Sequence, residues 1–244
     1  MPNQLFLTSV LNHLFAAPVD KVLALLHISP AYASAPITNT FAMELLAFLL
    51  LLAYFVAVRF SLSVETPGAV QHVAEMTHEF VSDQGEQIIG HGYERFTGYL
   101  TVLGLFILLS NLMGLFSPWL ESPTANVVVP LGFALVTFVY YHYHGIRENG
   151  FAYVKQFLGP VWWLYPLLLP IEIISHLARV LSLTVRLYAN MFAGDLVTLA
   201  FFSLVPIGIP LIFLGLHLGV AVVQAYVFFL LASIYLSLAV AHDH

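Results

Sequence analysis

Long hydrophobic stretches alternate with short polar segments along this chain. Five stretches approach or exceed the ~20 residues of helix that cross a ~30 Å hydrocarbon core. These stretches are residues 41–60, 97–117, 126–143, 167–204 and 208–241. The period-two alternation of a membrane β-barrel is absent, so helix is the structure that satisfies the backbone in lipid. The pattern therefore predicts an all-α polytopic membrane protein with five transmembrane helices.

The segment at residues 66–90 has a different pattern, with one acidic and one apolar helical face. The acidic face carries Glu75, Glu79, Asp83 and Glu86. The apolar face carries Val73, Phe80, Val81 and Ile88. The pattern predicts an interfacial amphipathic helix, with Thr66 as N-cap and Pro67 in the first turn. Residues 1–40 are mixed in composition and predict an extramembrane N-terminal arm, which leaves residues 41–244 as the membrane domain.

The last two apolar segments are too long to stand upright in a membrane. At ~1.5 Å per residue, residues 167–204 would form a helix of roughly 55–60 Å, about twice the hydrocarbon core. Residues 208–241 also exceed the core, and the sequence PIGIP at residues 206–210 predicts a turn between the two segments. We therefore expect a hairpin of two long, tilted helices.

The basic residues that lie outside the last two helices are distributed unevenly. With five crossings, one side of the membrane carries Arg59, Arg95, Arg147 and Lys155, and the other side carries Lys21. The positive-inside rule places the first side in the cytoplasm, with the N-terminus outside and the C-terminus inside. A sixth crossing through residues 66–90 is disfavoured because it would bury four carboxylates in lipid.

The composition agrees with membrane insertion and removes several classes of function. Of 244 residues, 60% are hydrophobic and 8% are charged, whereas soluble domains carry about a quarter charged residues. No cysteine is present, which excludes disulfides, thiolate catalysis and Cys-based metal sites. The net charge of −6 gives no reason to expect nucleic-acid binding. We expect no metal and no other cofactor.

A polar stripe runs along the predicted helix at residues 167–204. Five side chains fall within a sector of roughly 80°, at ~100° per residue, namely Glu172, His176, Arg179, Arg186 and Asn190. The first three can pair with one another across one or two helical turns, so structural and functional roles both stay open for them.

Arg186 differs because no acidic residue lies within a helical turn of it. Its neighbours three and four residues away are Ser182, Leu183, Ala189 and Asn190. A guanidinium without a partner in hydrocarbon costs several kcal/mol and does not deprotonate. We therefore expect a functional cation whose counter-charge comes from another helix or another subunit.

Further polar groups lie near the PIGIP turn and along the last helix. Asp195 and His217 flank the turn, and such a pair can form either a proton relay or a static hydrogen-bonded contact. Gln224 and Tyr235 share the helical face of His217, and Gln224 could hold Arg186 by a hydrogen bond. Polar groups thus lie on both sides of one fixed positive charge, which repels protons. The arrangement predicts two half-paths rather than an open pore.

The sequence RLYANMFAG at residues 186–194, preceded by IEIISHLAR and followed by AVVQAYVFFLLASIYLSLAVAHDH, resembles subunit a of the F-type ATP synthases. The resemblance extends from about residue 97 to the end and rests on the specific pattern R-L-x-x-N-M-x-A-G. It implies one transmembrane helix, an interfacial helix, a transmembrane hairpin and two long tilted helices against a ring of c-subunits.

The resemblance also implies roles for individual residues. Arg186 stands at the essential arginine that faces the c-ring carboxylate, with Asn190 and Gln224 as polar neighbours. Asp195 and His217 match the acid–histidine pair of the outer half-channel. Asn111 and Asn126 match polar positions near its aqueous access. Glu172 matches the acidic residue that lines the inner half-channel, with Ser182 nearby. Tyr235 matches a further polar position on the last helix. Some relatives carry acids where this chain has Gly114 and Thr124, so the outer path would rely more on the matched residues and water.

The family implies a proton-translocating stator subunit in the Fo sector, without catalytic chemistry of its own. Its expected partners are the c-subunit ring, the b-subunit stator stalk and membrane lipid. The acidic interfacial helix and the lack of a transit peptide favour a bacterial plasma (inner) membrane over an organellar inner membrane. The alternative is a secondary ion or proton transporter, which would predict an internal repeat and interrupted helices that the sequence does not show.

Overall fold

The computed structural model describes residues 4–25, 27, 35–63, 67–116, 119–150, 153, 165–204 and 208–241, and all regular structure in them is helical. The α-helices of this part of the chain are α1 (Phe6–Leu25), α2 (Asn39–Ser61), α3 (Ala69–Ile88), α4 (Glu94–Met113), α5 (Val128–Asn149), α6 (Tyr165–Leu204) and α7 (Ile209–Val240). Two 3-10 turns lie between α4 and α5, at Gly114–Phe116 and Pro123–Ala125. The all-helical prediction is confirmed.

Four helices of the described residues are long and apolar enough to cross a membrane, which makes the chain a multi-pass membrane protein. They are α2, α4 together with its following 3-10 turn, α6, and α7 from Pro210 onward. The crossing predicted at residues 126–143 corresponds to α5, which is not among the four. Its Tyr and His residues at 140–144 lower the hydropathy of the helix. The exact arrangement of five crossings and one interfacial helix is therefore not confirmed.

The predicted amphipathic segment forms α3, but the start of the helix was predicted wrongly. α3 begins at Ala69, with Gly68 as its N-cap residue. Pro67 therefore precedes the helix instead of occupying its first turn, and Thr66 lies outside the described residues. Gly68 has no side chain that could accept a hydrogen bond from the first turn of the helix, so the prediction of a polar N-cap residue at Thr66 was misleading.

The two faces of α3 have different environments. Val81 is buried, and the ring of Phe80 packs 6.0 Å from the Tyr226 ring and 6.1 Å from the Phe229 ring of α7. The acidic side chains are exposed, namely Glu75, Glu79, Asp83 and Glu86. α3 thus contacts the other helices through part of its apolar face, since Val73 stays exposed, and its acidic face is free of that packing.

α7 is the central helix, which packs on α4, α5 and α6. Its buried face repeats every three or four residues and is rich in alanine, with Ala221, Ala225, Phe228, Ala232, Leu236 and Ala239. Small residues let helix backbones approach closely, which favours association where lipid removes the hydrophobic driving force. This packing brings the polar residues of α6 beside those of α7.

The predicted N-terminal arm contains the helix α1, which is attached to the start of α2. Buried Asn12 makes two hydrogen bonds of 3.0 Å with the backbone of Ile37, donating to its carbonyl and accepting from its N–H. Thr38 then caps α2, because its hydroxyl accepts from the Phe41 N–H at 3.2 Å.

Candidate functional site

Asp195, near the end of α6, and His217, near the start of α7, face each other. His217 Nε2 lies 3.8 Å from Asp195 Oδ1, which is too far for a direct hydrogen bond. The His217 side chain is 3% exposed, and its Nε2 has no hydrogen-bond partner among the described residues. The two side chains thus face each other just beyond hydrogen-bond distance, with the imidazole buried and the carboxylate partly exposed.

Two glycines allow this close arrangement. A Cβ on Gly194 would lie 2.5 Å from His217 Nδ1, so the imidazole ring occupies the space that any side chain at 194 would need. A Cβ on Gly114 would lie 3.0 Å from Ser122 Cβ, 3.2 Å from Asp195 Oδ1 and 3.4 Å from His217 Nε2. The 3-10 turn after α4 thus passes directly over the pair. We call Gly114, Ser122, Asp195 and His217 the Asp195 cluster.

A chain of buried hydrogen bonds leads from α7 to this cluster. Asn111 at the end of α4 donates from Nδ2 to the carbonyl of Ala221 at 3.1 Å. Its Oδ1 accepts from the Thr124 hydroxyl at 2.7 Å, and that hydroxyl lies 2.7 Å from the Ser122 hydroxyl. Asn111, predicted beside the outer access, therefore connects to the Asp195 cluster through Thr124 and Ser122.

Asn126, the other polar residue predicted near the outer access, is exposed at the start of α5. Its Nδ2 donates to the Thr40 hydroxyl at 3.2 Å, and its Oδ1 accepts from the Val128 N–H at 3.2 Å. These bonds join α5 to the start of α2, so the polar contacts of Asn126 lie outside the Asp195 cluster.

Arg186 is partly exposed on α6, and its guanidinium donates to the Ser182 hydroxyl at 3.2 Å. No carboxylate among the described residues lies within ion-pair distance of it. The suggestion that Gln224 holds Arg186 is not the contact observed, since Gln224 Oε1 accepts from Asn190 Nδ2 at 2.7 Å. Asn190 and Gln224 instead join α6 to α7 one turn from the cation.

A polar cavity of about 180 Å³ lies toward the other end of α6. We call it the Glu172 cavity, and its lining residues are Tyr141, Tyr153, Glu172, His176, Arg179, Tyr235, Leu238 and Ala239. Glu172 Oε1 lies 3.2 Å from His176 Nε2, and His176 Nδ1 lies 2.9 Å from the Tyr141 hydroxyl. The Arg179 guanidinium lies 5.3 Å from the centre of the Tyr235 ring, a cation–π contact. Of the predicted residues, the cavity unites Glu172, His176, Arg179 and Tyr235.

Sequence reasoning missed three residues of these two sites: Tyr141, Tyr153 and Ser122. Tyr141 stands in the aromatic run YYHYH, where it looks like one of several interfacial residues. Ser122 stands in a short loop among other small polar residues. Neither Tyr141 nor Ser122 belongs to a periodic pattern in the sequence, so only the contacts between elements identify them as site residues.

The family model that describes the ATP synthase A chain matches residues 40–237. The chain belongs to the ATP synthase A chain family. ATP synthase subunit a of Koribacter versatilis (strain Ellin345) is 57% identical over 245 residues, which cover 100% of both chains. ATP synthase subunit a of Solibacter usitatus (strain Ellin6076) is 41% identical, and the match covers 86% of this chain and 90% of that protein. ATP synthase subunit a of Geotalea uraniireducens (strain Rf4) is 39% identical, and the match covers 95% of this chain and 98% of that protein.

In this member of the ATP synthase A chain family, polar groups lie at three levels along α6. Glu172 and Asp195 stand about 21 Å and about 13 Å from Arg186 along the helix axis, on opposite sides of it, at 1.5 Å per residue. Carboxylate and imidazole groups can take up and release protons, whereas the guanidinium keeps its charge. No group of three or more His, Asp or Glu within the described ranges could hold a metal ion.

Proposed function

We propose that this chain is the proton-translocating stator subunit of the Fo sector of an F-type ATP synthase. Two offset half-channels would load and unload the carboxylates of a c-subunit ring around Arg186. Membership of the ATP synthase A chain family supports the general role in proton transport and ATP synthesis. The chain acts as one component of the complex and performs no catalytic chemistry itself. The bacterial sources of its relatives support a bacterial plasma membrane.

The observation that carries this proposal is the environment of Arg186. Its guanidinium contacts a neutral hydroxyl and is partly exposed on a helix that is apolar enough to cross a membrane. A permanent cation at such a position needs an anion from a partner. A carboxylate on a neighbouring c-subunit supplies that anion and is not permanently bound to Arg186.

The outer half-channel consists of the Asp195 cluster and the hydrogen bonds around Asn111, with Asn126 near its mouth. A proton passes Asp195 and His217 and protonates a ring carboxylate that has just left Arg186. The neutral carboxylic acid can then rotate into lipid, where the ionised form would cost several kcal/mol or more. Protonation therefore decides when the ring can move.

The inner half-channel consists of the Glu172 cavity, with Ser182 on the way to Arg186. After nearly a full turn of the ring, the carboxylic acid meets this cavity and gives its proton to Glu172 or to water. The resulting carboxylate is attracted to Arg186, which holds it until the next proton arrives. Arg186 also repels protons that approach from either half-channel, so the two paths stay separate.

The topology that fits these paths has five crossings, with α5 as the third and the N-terminus outside. It places Arg59, Arg95 and Arg147 on the cytoplasmic side and leaves acidic α3 along that surface. The Asp195 cluster then faces the outside and the Glu172 cavity faces the cytoplasm. The b-subunit stalk is the second partner of the chain in this assignment.

Gly194→Ala is expected to lower proton-driven ATP synthesis by about tenfold, because an added Cβ moves the His217 ring away from Asp195, and misplacement of about 1 Å can cost more than that. The assay is ATP synthesis by membrane vesicles under an imposed proton gradient. Gly132→Ala on α5 is the matched control, since a Cβ there would meet nothing within 4 Å. Equal activity of the two variants would argue against proton transfer through His217.

A cysteine cross-link tests the proposed partner directly, because the chain contains no cysteine of its own. Ala193 is exposed and lies about 20° from Arg186 around the helix. Ala193→Cys should form disulfides with a cysteine on the c-subunit helix in membranes that contain the whole complex. Phe192→Cys, which is exposed about 120° away from Arg186, should give less than about a tenth of that yield. A secondary transporter would give no cross-link at either position.

A further inference from the structure

The loop that joins α4 to α5 carries a single charged residue, Glu121. Its side chain is exposed, whereas the next residue, Ser122, is 4% exposed and packs against Gly114. The chain therefore passes from the surface into the Asp195 cluster within one residue. Glu121 stands where an aqueous path to that cluster would open.

The charges around this opening are acidic. Glu121 directly precedes Ser122, and a Cβ added on Gly114 would lie 3.0 Å from Ser122 Cβ and 3.2 Å from Asp195 Oδ1, so both carboxylates belong to the contact between this loop and α6. The titratable group on the opposite helix is His217, whose buried Nε2 has no hydrogen-bond partner among the described residues. No lysine or arginine of the described segments forms an ion pair with either carboxylate. The opening therefore presents a negative field to the solution.

The position of Glu121 is held by a weak contact. Asn39 at the start of α2 donates from Nδ2 to Glu121 Oε1 at 3.4 Å, between two exposed side chains. A contact of this length adds little stability, and it leaves the second carboxylate oxygen available to water. Its geometry therefore suits a carboxylate that exchanges protons with solvent.

We propose that Glu121 is the surface group that takes up protons from the outer solution and delivers them to Asp195. The inference rests on the proposed function and adds a residue to its outer half-channel. A hydronium ion gives a proton to the ionised Glu121 carboxylate. The proton then passes through water to the Asp195 carboxylate, and Glu121 returns to its ionised form. Only O–H bonds form and break in this sequence.

The effect of such a group is largest when protons are scarce. A negative charge at the mouth of a cleft raises the local concentration and capture rate of cations by about tenfold or more. At acidic outer pH, direct arrival of hydronium at Asp195 is no longer limiting. The contribution of Glu121 should therefore grow as the outer pH rises.

The test uses membrane vesicles with the complete ATP synthase, with the pH on the outer face varied at constant total driving force. Rates are normalised to the amount of assembled complex. Glu121→Gln should synthesise ATP about tenfold more slowly than the parent at outer pH of about 8 and near the parent rate at about pH 5.5. Glu121→Asp should stay close to the parent at both values. Glu86→Gln, which removes an exposed carboxylate from α3, is the matched control and should change neither rate.

Two further variants separate proton uptake from a structural role. Asn39→Ala removes the hydrogen bond to Glu121, together with the one that Asn39 accepts from the Leu5 N–H, but it keeps the carboxylate and should leave the pH dependence unchanged. A loss in Glu121→Gln that is equal at all outer pH values, or that Asn39→Ala reproduces, would overturn the inference. Parent-like rates of Glu121→Gln at both pH values, beside an inactive Asp195→Asn, would overturn it while leaving the proposed function intact. Coupled synthesis by Arg186→Ala would instead refute the proposed function.

Discussion

Membranes that carry Arg186→Ala should lose proton-driven ATP synthesis and leak protons. In the proposed mechanism, removal of the guanidinium leaves no fixed charge to attract the ionised ring carboxylate and no positive barrier between the two half-channels. Removal of one preorganised electrostatic group typically costs a factor of about 10²–10³, so synthesis should fall below about 1% of the parent. The measurements are the rate of ATP synthesis and the decay of an imposed proton gradient in the same vesicles.

Arg186→Lys should fail as well, although it keeps a basic residue. A lysine in a desolvated site can lose its proton, and its ammonium lacks the planar fork that pairs with a carboxylate. Arg147→Lys, in the last turn of α5, is the matched control and should retain parental synthesis. Coupled synthesis in Arg186→Ala vesicles at a rate comparable with the control would refute the role given to this residue.

Asp195→Asn is the second change with a large expected effect. Asparagine keeps the size and hydrogen-bonding capacity of the side chain, but it cannot accept and release a proton at neutral pH. Loss of a proton-transfer group typically costs 10²–10⁴-fold, so we expect a fall of about a hundredfold in proton-driven synthesis. The rate should be measured over a range of driving forces in vesicles with a known content of complex.

The proton leak distinguishes this variant from the loss of the central cation. Asp195→Asn leaves Arg186 in place, so these vesicles should hold a gradient as well as the parent does. Asp195→Glu keeps the carboxylate and should retain a large part of the activity. If Asp195→Asn synthesised ATP faster than Asp195→Glu, proton transfer at this position would be ruled out.

The lengths and positions of the long helices followed closely from hydrophobicity. The stretch predicted at residues 41–60 forms Asn39–Ser61, and that at 167–204 forms Tyr165–Leu204. A segment that crosses lipid satisfies its backbone hydrogen bonds within its own helix and is mostly apolar, so the sequence pattern marks such helices sharply. α5 is less clear because it contains a run of tyrosine and histidine at residues 140–144, and these residue types suit an interface as well as a helix core.

The candidate site could be predicted where it depends on one helix or on two positions that flank the same turn. The isolation of Arg186 follows from the residues one turn away, and the proximity of Asp195 and His217 follows from their positions beside the same turn. The contact between Gln224 and Asn190 could not be predicted, because it depends on the rotation of α7 against α6. The hydroxyl of Tyr141 reaches His176 from a third helix, for which periodicity along α6 gives no information.

The small residues of the Asp195 cluster show the same limit of sequence reasoning. Gly114 and Gly194 look unremarkable in an apolar sequence that contains 15 glycines. The structure shows that an added Cβ at either position would press on Asp195 or His217. Such requirements become visible only when the neighbouring helix is in place.

The central claim is that Arg186 separates two half-channels, and proton flux with the ring held still tests it most directly. Rotation is stopped by a disulfide between Ala193→Cys and the c-subunit, and proton conductance is measured under an imposed potential. With Arg186 present, cross-linked vesicles should conduct no protons. With Arg186→Ala in the same cross-linked background, conductance should persist because the two paths join. Vesicles that are equally proton-tight with and without Arg186 would contradict the claim.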